Sequence, residues 1–170
     1  HFGNCLSHPS ILIRTEIYRE LGVYNLALRQ LPDFDMWVRL IKHHSIYVFQ
    51  KPLVQHRRFI SSDKNTSAQT TDNSARDILE SYYILIRYFS DVSDELFVEA
   101  FQKEFRKSGK LTHNELCCEK FFLLLGGTFY FSFLSQLAAT NYFFDIYSQE
   151  GMAETFRKSY NFTMRDFHAI

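Results

Sequence analysis

This sequence of 170 residues has no net charge and few cysteines, and each of these absences excludes a class of partner or site. Nineteen Lys and Arg residues balance nineteen Asp and Glu residues, so no net field favours nucleic acid as a partner. The three cysteines are Cys5, Cys117 and Cys118, and this odd count with an adjacent pair fits neither a disulfide framework nor a Cys-x-x-Cys metal site. We therefore expect unpaired thiols and a reducing, cytoplasmic compartment.

Proline is confined to one end of the chain. All three prolines lie within the first 52 residues: Pro9, Pro32 and Pro52. Because proline interrupts regular helices, the sequence predicts irregular α/β structure first and helices afterwards. A polar stretch from Ser61 to Ser74, rich in turn formers, separates the two. We expect one domain over residues 1–70, a helical domain over residues 75–170, and a chain in which helix dominates.

Charge is absent from one long apolar run, Phe121 to Phe144. Its length would span a hydrocarbon core of about 30 Å. However, polar residues are spread through the run, Gly126 and Gly127 interrupt it, and no basic cluster flanks it. We therefore favour helices packed within protein over a membrane span. The residues expected to face inward are Phe121, Phe122, Leu125, Phe129, Phe133 and Leu137.

Short-range patterns in the first part predict strands alternating with helices. The apolar run Ile11 to Ile13 is typical of a buried strand. A brief helix follows, with Thr15 as its N-cap and Gly22 as its stop. Further along, Ser45 to Phe59 predicts two short β segments joined at Lys51-Pro52.

An amphipathic helix is predicted between these segments. Its apolar residues recur at spacings of three, four and seven: Phe34, Trp37, Val38 and Ile41. The helix should run from about Asp33 to His44, with Asp33 in its first turn. Trp37 on the apolar face is either core or a platform for a sugar ring. Arg39, on the opposite face, is either solvated or paired with Asp35 four residues earlier.

Three strings in this order resemble the family-two glycosyltransferases with the GT-A fold: NCLSHPSILIRTEIYRELGVYN, PDFDMWVRLIKHHSIYVFQKPLVQHRR and NTSA. In that family an Asn and a His-Pro-Ser strand precede a helix and a Gly-x-Tyr turn. An acidic helix with Asp-x-Trp-x-Arg follows, and then a strand ending in Arg. The resemblance covers residues 1 to about 70 and implies the acceptor side of a GT-A domain. The chain begins at His1 rather than Met, and we expect it to be a fragment of a longer protein.

The resemblance places Asp33 at the position of the family's catalytic base. An inverting sugar transfer needs a carboxylate beside the acceptor hydroxyl, which must lose its proton as it attacks the anomeric carbon. A helix N-terminus also stabilises a carboxylate anion by about 0.3 to 1 kcal/mol. The competing interpretation is that Asp33 is only the helix N-cap. The family usually has a second acid just before this Asp, and this chain has Pro32 there.

Asp33-Phe34-Asp35 also spells the Asp-x-Asp motif with which these enzymes hold metal and nucleotide. We reject that interpretation, because residues two apart on a helix point about 200° away from each other. The metal-binding motif should instead follow a strand in the donor-binding half. The expected divalent metal, Mg or Mn, would be bound mostly by that half.

Four further residues are candidates for substrate or metal contacts. His8, before Pro9, either lines the acceptor cleft or is a turn residue bonded to backbone. Arg57 and Arg58 follow a predicted strand and either meet the leaving diphosphate or form a charged strand end. His56 is a candidate metal ligand, since the family's His falls a few residues after the Arg and this chain has none there.

Two functions remain open at this point. The first is a fragment of an inverting glycosyltransferase, whose partners would be a nucleotide-sugar donor and a glycan or lipid-linked acceptor. The second is a non-catalytic protein-interaction module, with residues 75–170 binding a partner and a degenerate remnant before it. Peripheral membrane association and homo-oligomerisation are further expectations. The sequence upstream of His1 would separate the two functions, since a strand ending in Asp-x-Asp indicates the enzyme.

Overall fold

The computed structural model describes residues 4–55, 57, 70–127 and 132–170. Helix accounts for 57% of the described residues, and none of them is in a strand, so the expected dominance of helix is confirmed. The chain divides into two compact units. We call residues 4–84 the N-terminal unit and residues 85–170 the C-terminal unit. The first unit therefore extends beyond the boundary at residues 61–74 that the sequence suggests, and that boundary lies largely outside the described residues.

Among its described residues, the N-terminal unit has three helices. They are α1 (Thr15–Leu21), α2 (Pro32–Ile41) and α3 (Thr71–Leu85), and the last residue of α3 falls in the C-terminal unit. A single 3₁₀ turn, His8–Ser10, precedes them. The predicted helix stop at Gly22 is confirmed, with φ of 79° there, whereas Thr15 is the first helical residue and Arg14 is the cap. Left-handed backbone of this kind favours glycine.

The core of the N-terminal unit lies on α2. Met36, Trp37 and Leu40 are buried there, and side chains from the preceding segment and α1 pack against them. These are Leu6, Ile11, Ile13, Ile17, Tyr18, Leu21 and Tyr24. The helix ends at Ile41, earlier than predicted, and the exposed side chain of Ile41 shows that the buried face is rotated toward Met36 and Leu40.

The predicted strands are not formed among the described residues, so the α/β character expected of residues 1–70 is not present there. Ile11 has extended backbone, yet neither Ile11 to Ile13 nor the described part of Ser45 to Phe59 has a strand partner. The physical reason is that a strand exists only through a ladder of hydrogen bonds to a neighbouring strand. Tyr47, Val48 and Phe49 remain largely exposed.

In the described part of the C-terminal unit there are five helices: α4 (Asp94–Phe101), α5 (His113–Gly126), α6 (Ser132–Tyr147), α7 (Met152–Tyr160) and α8 (Met164–Phe167). Phenylalanine rings fill its core, where Phe121 lies within 5.5 Å of Phe143 and Phe156, measured between ring centroids. Edge-to-face and offset ring pairs of this kind add to the free energy of ordinary apolar burial.

The uncharged run is divided between α5 and α6. Helix α5 ends at Gly126, as the paired glycines predicted. No helix in the described ranges is long and apolar enough to cross a membrane. The predicted inward face is confirmed for Phe121 and Phe122 but is wrong for Phe133 and Leu137, which are exposed. Because α6 is a separate helix, the apolar phase of α5 does not continue into it. Phe129 lies outside the described residues.

Candidate functional site

Asp33 lies in the first turn of α2 and faces a side chain from the start of the unit. Leu31 is the N-cap, Pro32 is the first helical residue, and no side chain caps the helix, so the interpretation of Asp33 as N-cap is wrong. Its Oδ2 accepts a hydrogen bond of 3.0 Å from Asn4 Nδ2, and its Oδ1 accepts one of 2.8 Å from the Phe34 backbone N–H. The carboxylate is thus half-buried and fixed in orientation, while a carboxylate has further lone pairs for another donor.

Tyr24 connects two other candidate residues near Asp33. Its hydroxyl is 3.1 Å from His8 Nε2 and 3.1 Å from the Tyr18 hydroxyl. Its ring meets the Trp37 ring edge-on, with centroids 6.3 Å apart. Burial raises the pKa of Tyr24, as do the Tyr18 hydrogen bond and the negative charge of Asp33. Tyr24 therefore keeps its proton and is a permanent hydrogen-bond donor beside the carboxylate.

Two buried polar atoms of this cluster have no hydrogen-bond partner among the described residues: Asn4 Oδ1 and Trp37 Nε1. Buried polar groups in proteins are nearly always satisfied, so the exceptions require an explanation. Trp37 is 3% exposed and belongs to the core, as one of its two interpretations proposed. Its indole N–H and the side-chain oxygen of Asn4 therefore lie buried at the edge of this core without a partner among the described residues.

Arg39 supports the turn that carries Tyr24. Its guanidinium forms an ion pair of 3.1 Å with Asp35, as one of its two interpretations proposed. It also donates to the backbone carbonyl groups of Leu21 and Val23. The two carboxylates of the Asp-x-Asp string are therefore held by different partners, Asn4 for Asp33 and Arg39 for Asp35. No group of three metal-ligating side chains occurs in the described part of the chain.

Glu80 on α3 holds the loop that leads into α2. Its carboxylate accepts three hydrogen bonds of 2.8 Å from the consecutive backbone N–H groups of Arg29, Gln30 and Leu31. The side chain is buried, and hydrogen bonds to a charged acceptor in such a place are worth about 1.5 to 3 kcal/mol. Burial, and then the charge of Glu80, raise the pKa of Asp77 one turn earlier. Since α3 lies beyond the recognised motifs, this support for Asp33 was not predicted.

The structure brings together some of the predicted site residues and leaves others apart. His8, Asp33 and Trp37 fall in one cluster around Tyr24. Arg57 is exposed, and no contact connects it to that cluster. His56 and Arg58 lie outside the described residues, so their roles stay predictions.

Sequence reasoning missed four contributors: Asn4, Tyr18, Tyr24 and Glu80. Asn4 and Tyr24 could have been found from the sequence, since the Asn and the Gly-x-Tyr turn are both part of the motif run. Nothing in the local sequence distinguishes Tyr18 or Glu80 from surface residues of an ordinary helix.

Comparison with protein-family models, with curated proteins and with solved structures gives no match to this chain. Any function must therefore be inferred from the arrangement around Asp33 and from the motif resemblance.

Proposed function

We propose that the N-terminal unit is the acceptor-binding side of an inverting glycosyltransferase of the GT-A type, with Asp33 as its general base. One observation carries the proposal, the hydrogen bond from Asn4 to Asp33. It joins the first and second motif strings across 29 residues of sequence, at the atom that the chemistry requires. A chance match of two unrelated motifs gives no reason for these two side chains to meet.

The chemistry assigned to Asp33 is removal of one proton. An acceptor hydroxyl donates a hydrogen bond to the carboxylate, and its oxygen attacks the anomeric carbon of the sugar donor as that proton moves to Asp33. The bond from the anomeric carbon to the nucleoside diphosphate breaks, and the configuration at that carbon inverts. Asn4 fixes the carboxylate, and the hydroxyl of Tyr24 holds His8 and Tyr18 beside it.

The absence of a second acid before Asp33 is compatible with this role. Pro32 occupies the first helical position, where its missing N–H costs no hydrogen bond and its fixed φ suits a helix start. A neutral amide, Asn4, then orients the carboxylate in place of a second charge. One carboxylate suffices to accept one proton.

The donor-binding half of the enzyme would supply the remaining parts. In this proposal it binds the nucleotide sugar and the divalent metal, and its strands pair with the extended segments around Ile11 to Ile13 and Tyr47 to Phe49. Arg57 and Arg58, with His56, would meet the leaving diphosphate, because guanidinium groups bind phosphate oxygens in pairs.

A second candidate is the interaction module, and one observation favours it. Phe133, Leu137 and Phe144 are exposed on α6, at spacings of four and seven residues that place them along one face of the helix. Such patches often mark contacts with another protein. The two functions can coexist, since these three residues belong to the C-terminal unit and Asp33 to the N-terminal one.

The experiment that tests the catalytic proposal compares two carboxylates at the same helical position. Asp33 and Asp72 are each the second residue of a helix, α2 and α3, so Asp→Asn at either site removes the same interaction with the helix dipole. In the enzyme with its donor-binding half, we expect Asp33→Asn to lower turnover by about 100- to 10,000-fold, with nucleotide-sugar affinity unchanged. Asp72→Asn should retain full turnover. Equal, small losses in both variants would contradict the assignment.

A further inference from the structure

A cysteine, a histidine and an aspartate are connected in line at the start of α5, in the unit that the proposed function does not use. His113 Nδ1 lies 2.7 Å from Asp94 Oδ2, and His113 Nε2 lies 3.6 Å from Cys117 Sγ. His113 and Cys117 are four residues apart on one helix, so their side chains share a face. The order is that of a nucleophile, a base and a residue that orients the base.

The aspartate settles which nitrogen of His113 carries the proton. An ionised carboxylate only accepts hydrogen bonds, so Nδ1 is protonated and donates to Asp94. The lone pair is then on Nε2, which faces the sulfur of Cys117. Lys120 Nζ lies 3.7 Å from the other oxygen of Asp94, so the carboxylate has a partner on each side. His113 is thereby held as a base toward the thiol.

The thiol itself is neutral at rest and needs that base. Burial raises the pKa of Cys117, while the Tyr142 hydroxyl and the positive charge of Lys120 act in the opposite direction. Burial also raises the pKa of Tyr142, so its hydroxyl keeps the proton that it donates to the sulfur. A thiolate formed at Cys117 would thus have two partners, the imidazolium of His113 and the hydroxyl of Tyr142.

We propose that Cys117 is a site of thiol–disulfide exchange with small aliphatic disulfides. The S–H proton moves to His113 Nε2 as the sulfur attacks one sulfur of the disulfide. A new S–S bond forms between Cys117 and that half, the old S–S bond breaks, and the departing thiolate takes the proton from His113. The electron pair of the old S–S bond leaves with the departing thiolate, so the sulfur of Cys117 is oxidised as the departing sulfur is reduced to the same extent, and no other oxidant takes part. Asp94 acts as a positioning residue.

Access to the sulfur limits the partner to a small molecule. Cys117 is 7% exposed, whereas the side chain of His113 beside it is 69% exposed. In this proposal a short aliphatic disulfide approaches along the exposed imidazole, because the sulfur offers too little surface for a folded protein partner.

The chain contains its own controls. Cys118 is the next residue, has no exposed surface, and has a pKa that burial raises still further. It becomes reactive only if the unit opens. Cys5 is exposed and belongs to the other unit, so it reports the reactivity of an unassisted thiol.

The test uses the whole chain and the disulfide of 2-mercaptoethanol, with the mixed disulfides at each cysteine followed over time by peptide mass spectrometry. We expect Cys117 to react while Cys118 does not, and His113→Gln to slow Cys117 about 100-fold, as expected for loss of a general base, with Cys5 unchanged. Asp94→Asn should slow Cys117 by a smaller factor. A faster reaction at Cys118 in either variant would show that the variant is partly unfolded. The proposal would then be judged by comparing the reaction rates of Cys117 and Cys118 in the unmodified chain. Equal rates at those two thiols, or an undiminished rate at Cys117 in a folded His113→Gln variant, would overturn the proposal.

Discussion

In each of the two units a buried glutamate holds a loop through hydrogen bonds to its backbone, but the hydrophobic cores of the two units differ. In the N-terminal unit Glu80 accepts hydrogen bonds from three backbone N–H groups of the loop before α2, and in the C-terminal unit Glu119 accepts them from Arg106 and Lys107 before α5. The core of the C-terminal unit is a cluster of phenylalanine rings that includes Phe121, Phe143 and Phe156. The core of the N-terminal unit is smaller and lies on α2, the helix that carries Asp33.

The two units differ most in their aromatic cores. The C-terminal unit buries the rings of Phe97, Phe121, Phe143 and Phe156, although Phe133, Leu137 and Phe144 on α6 are exposed. The N-terminal unit leaves Leu12, Tyr47, Phe49 and Leu53 exposed. Polar atoms buried without a partner among the described residues occur in both units, at Asn4 and Trp37 in the first and at Ser135 in the second. The expectation of self-association through the exposed apolar segments of the N-terminal unit stays a prediction.

The largest loss of stability should come from removing one phenylalanine ring from the core of the C-terminal unit. Phe121→Ala removes a fully buried ring from the C-terminal unit and should lower its free energy of unfolding by about 3 to 5 kcal/mol. Phe144→Ala, at an exposed position on α6, is the matched control and should change it by less than about 0.5 kcal/mol. Urea unfolding followed by far-UV circular dichroism measures both. Similar losses in the two variants would mean that the rings do not form the core described above.

The next effect concerns the support of Asp33. Glu80→Gln replaces an acceptor-only carboxylate by an amide whose NH₂ must face a backbone N–H, so it should cost the N-terminal unit about 2 to 3 kcal/mol. The sole tryptophan, Trp37, lies in this unit, and its fluorescence therefore reports this transition separately. Asp72→Asn, exposed on the same helix, serves as the control. An unchanged fluorescence transition in Glu80→Gln would show that α3 does not hold the loop.

A smaller effect should appear in acid and only in the C-terminal unit. The pKa of Glu115 is lowered to about 2, chiefly by the hydrogen bond from Lys107 and then by the Thr112 backbone. A carboxylate with a depressed pKa contributes stability above its unfolded pKa of about 4.5, and that stability is lost as the pH falls toward 2. We expect a loss of about 2 kcal/mol, below the full value of about 1.4 kcal/mol per pKa unit, because Lys107 is partly in water.

The control for this prediction is Glu115→Gln, which should flatten the decline in stability between pH 4.5 and pH 2. Chemical unfolding across that pH range, compared between the two proteins, isolates the contribution of Glu115 from that of other acids. Parallel pH profiles would contradict it.

Much of the helical framework follows from local signals in the sequence. Gly22 ends α1 because of its backbone freedom, and the periodicity of Phe34, Trp37 and Val38 predicts α2. Long-range features escaped prediction. The buried face of α6 depends on how the helix restarts after residue 127, and no periodicity in α5 determines that.

The site was predictable to a similar degree. The motif run indicates Asp33, His8 and Trp37, because residues near one another in sequence carry recognisable spacing. Glu80 contacts a loop about 50 residues earlier, and a glutamate in an amphipathic helix is expected to be solvated. Its burial is a property of the tertiary fold alone.

If the proposed function holds, Asn4 and Asp33 act as one catalytic unit, and a double-mutant cycle in turnover tests this most directly. In the proposed full-length enzyme, the variants are Asn4→Ala, Asp33→Asn and both together, with turnover, donor affinity and melting temperature measured for each. If Asn4 acts by holding the base, Asn4→Ala should lower turnover about tenfold or more when Asp33 is present and have almost no effect once Asp33 is Asn. Losses that multiply in the double variant would show that the two residues act independently and would contradict the account.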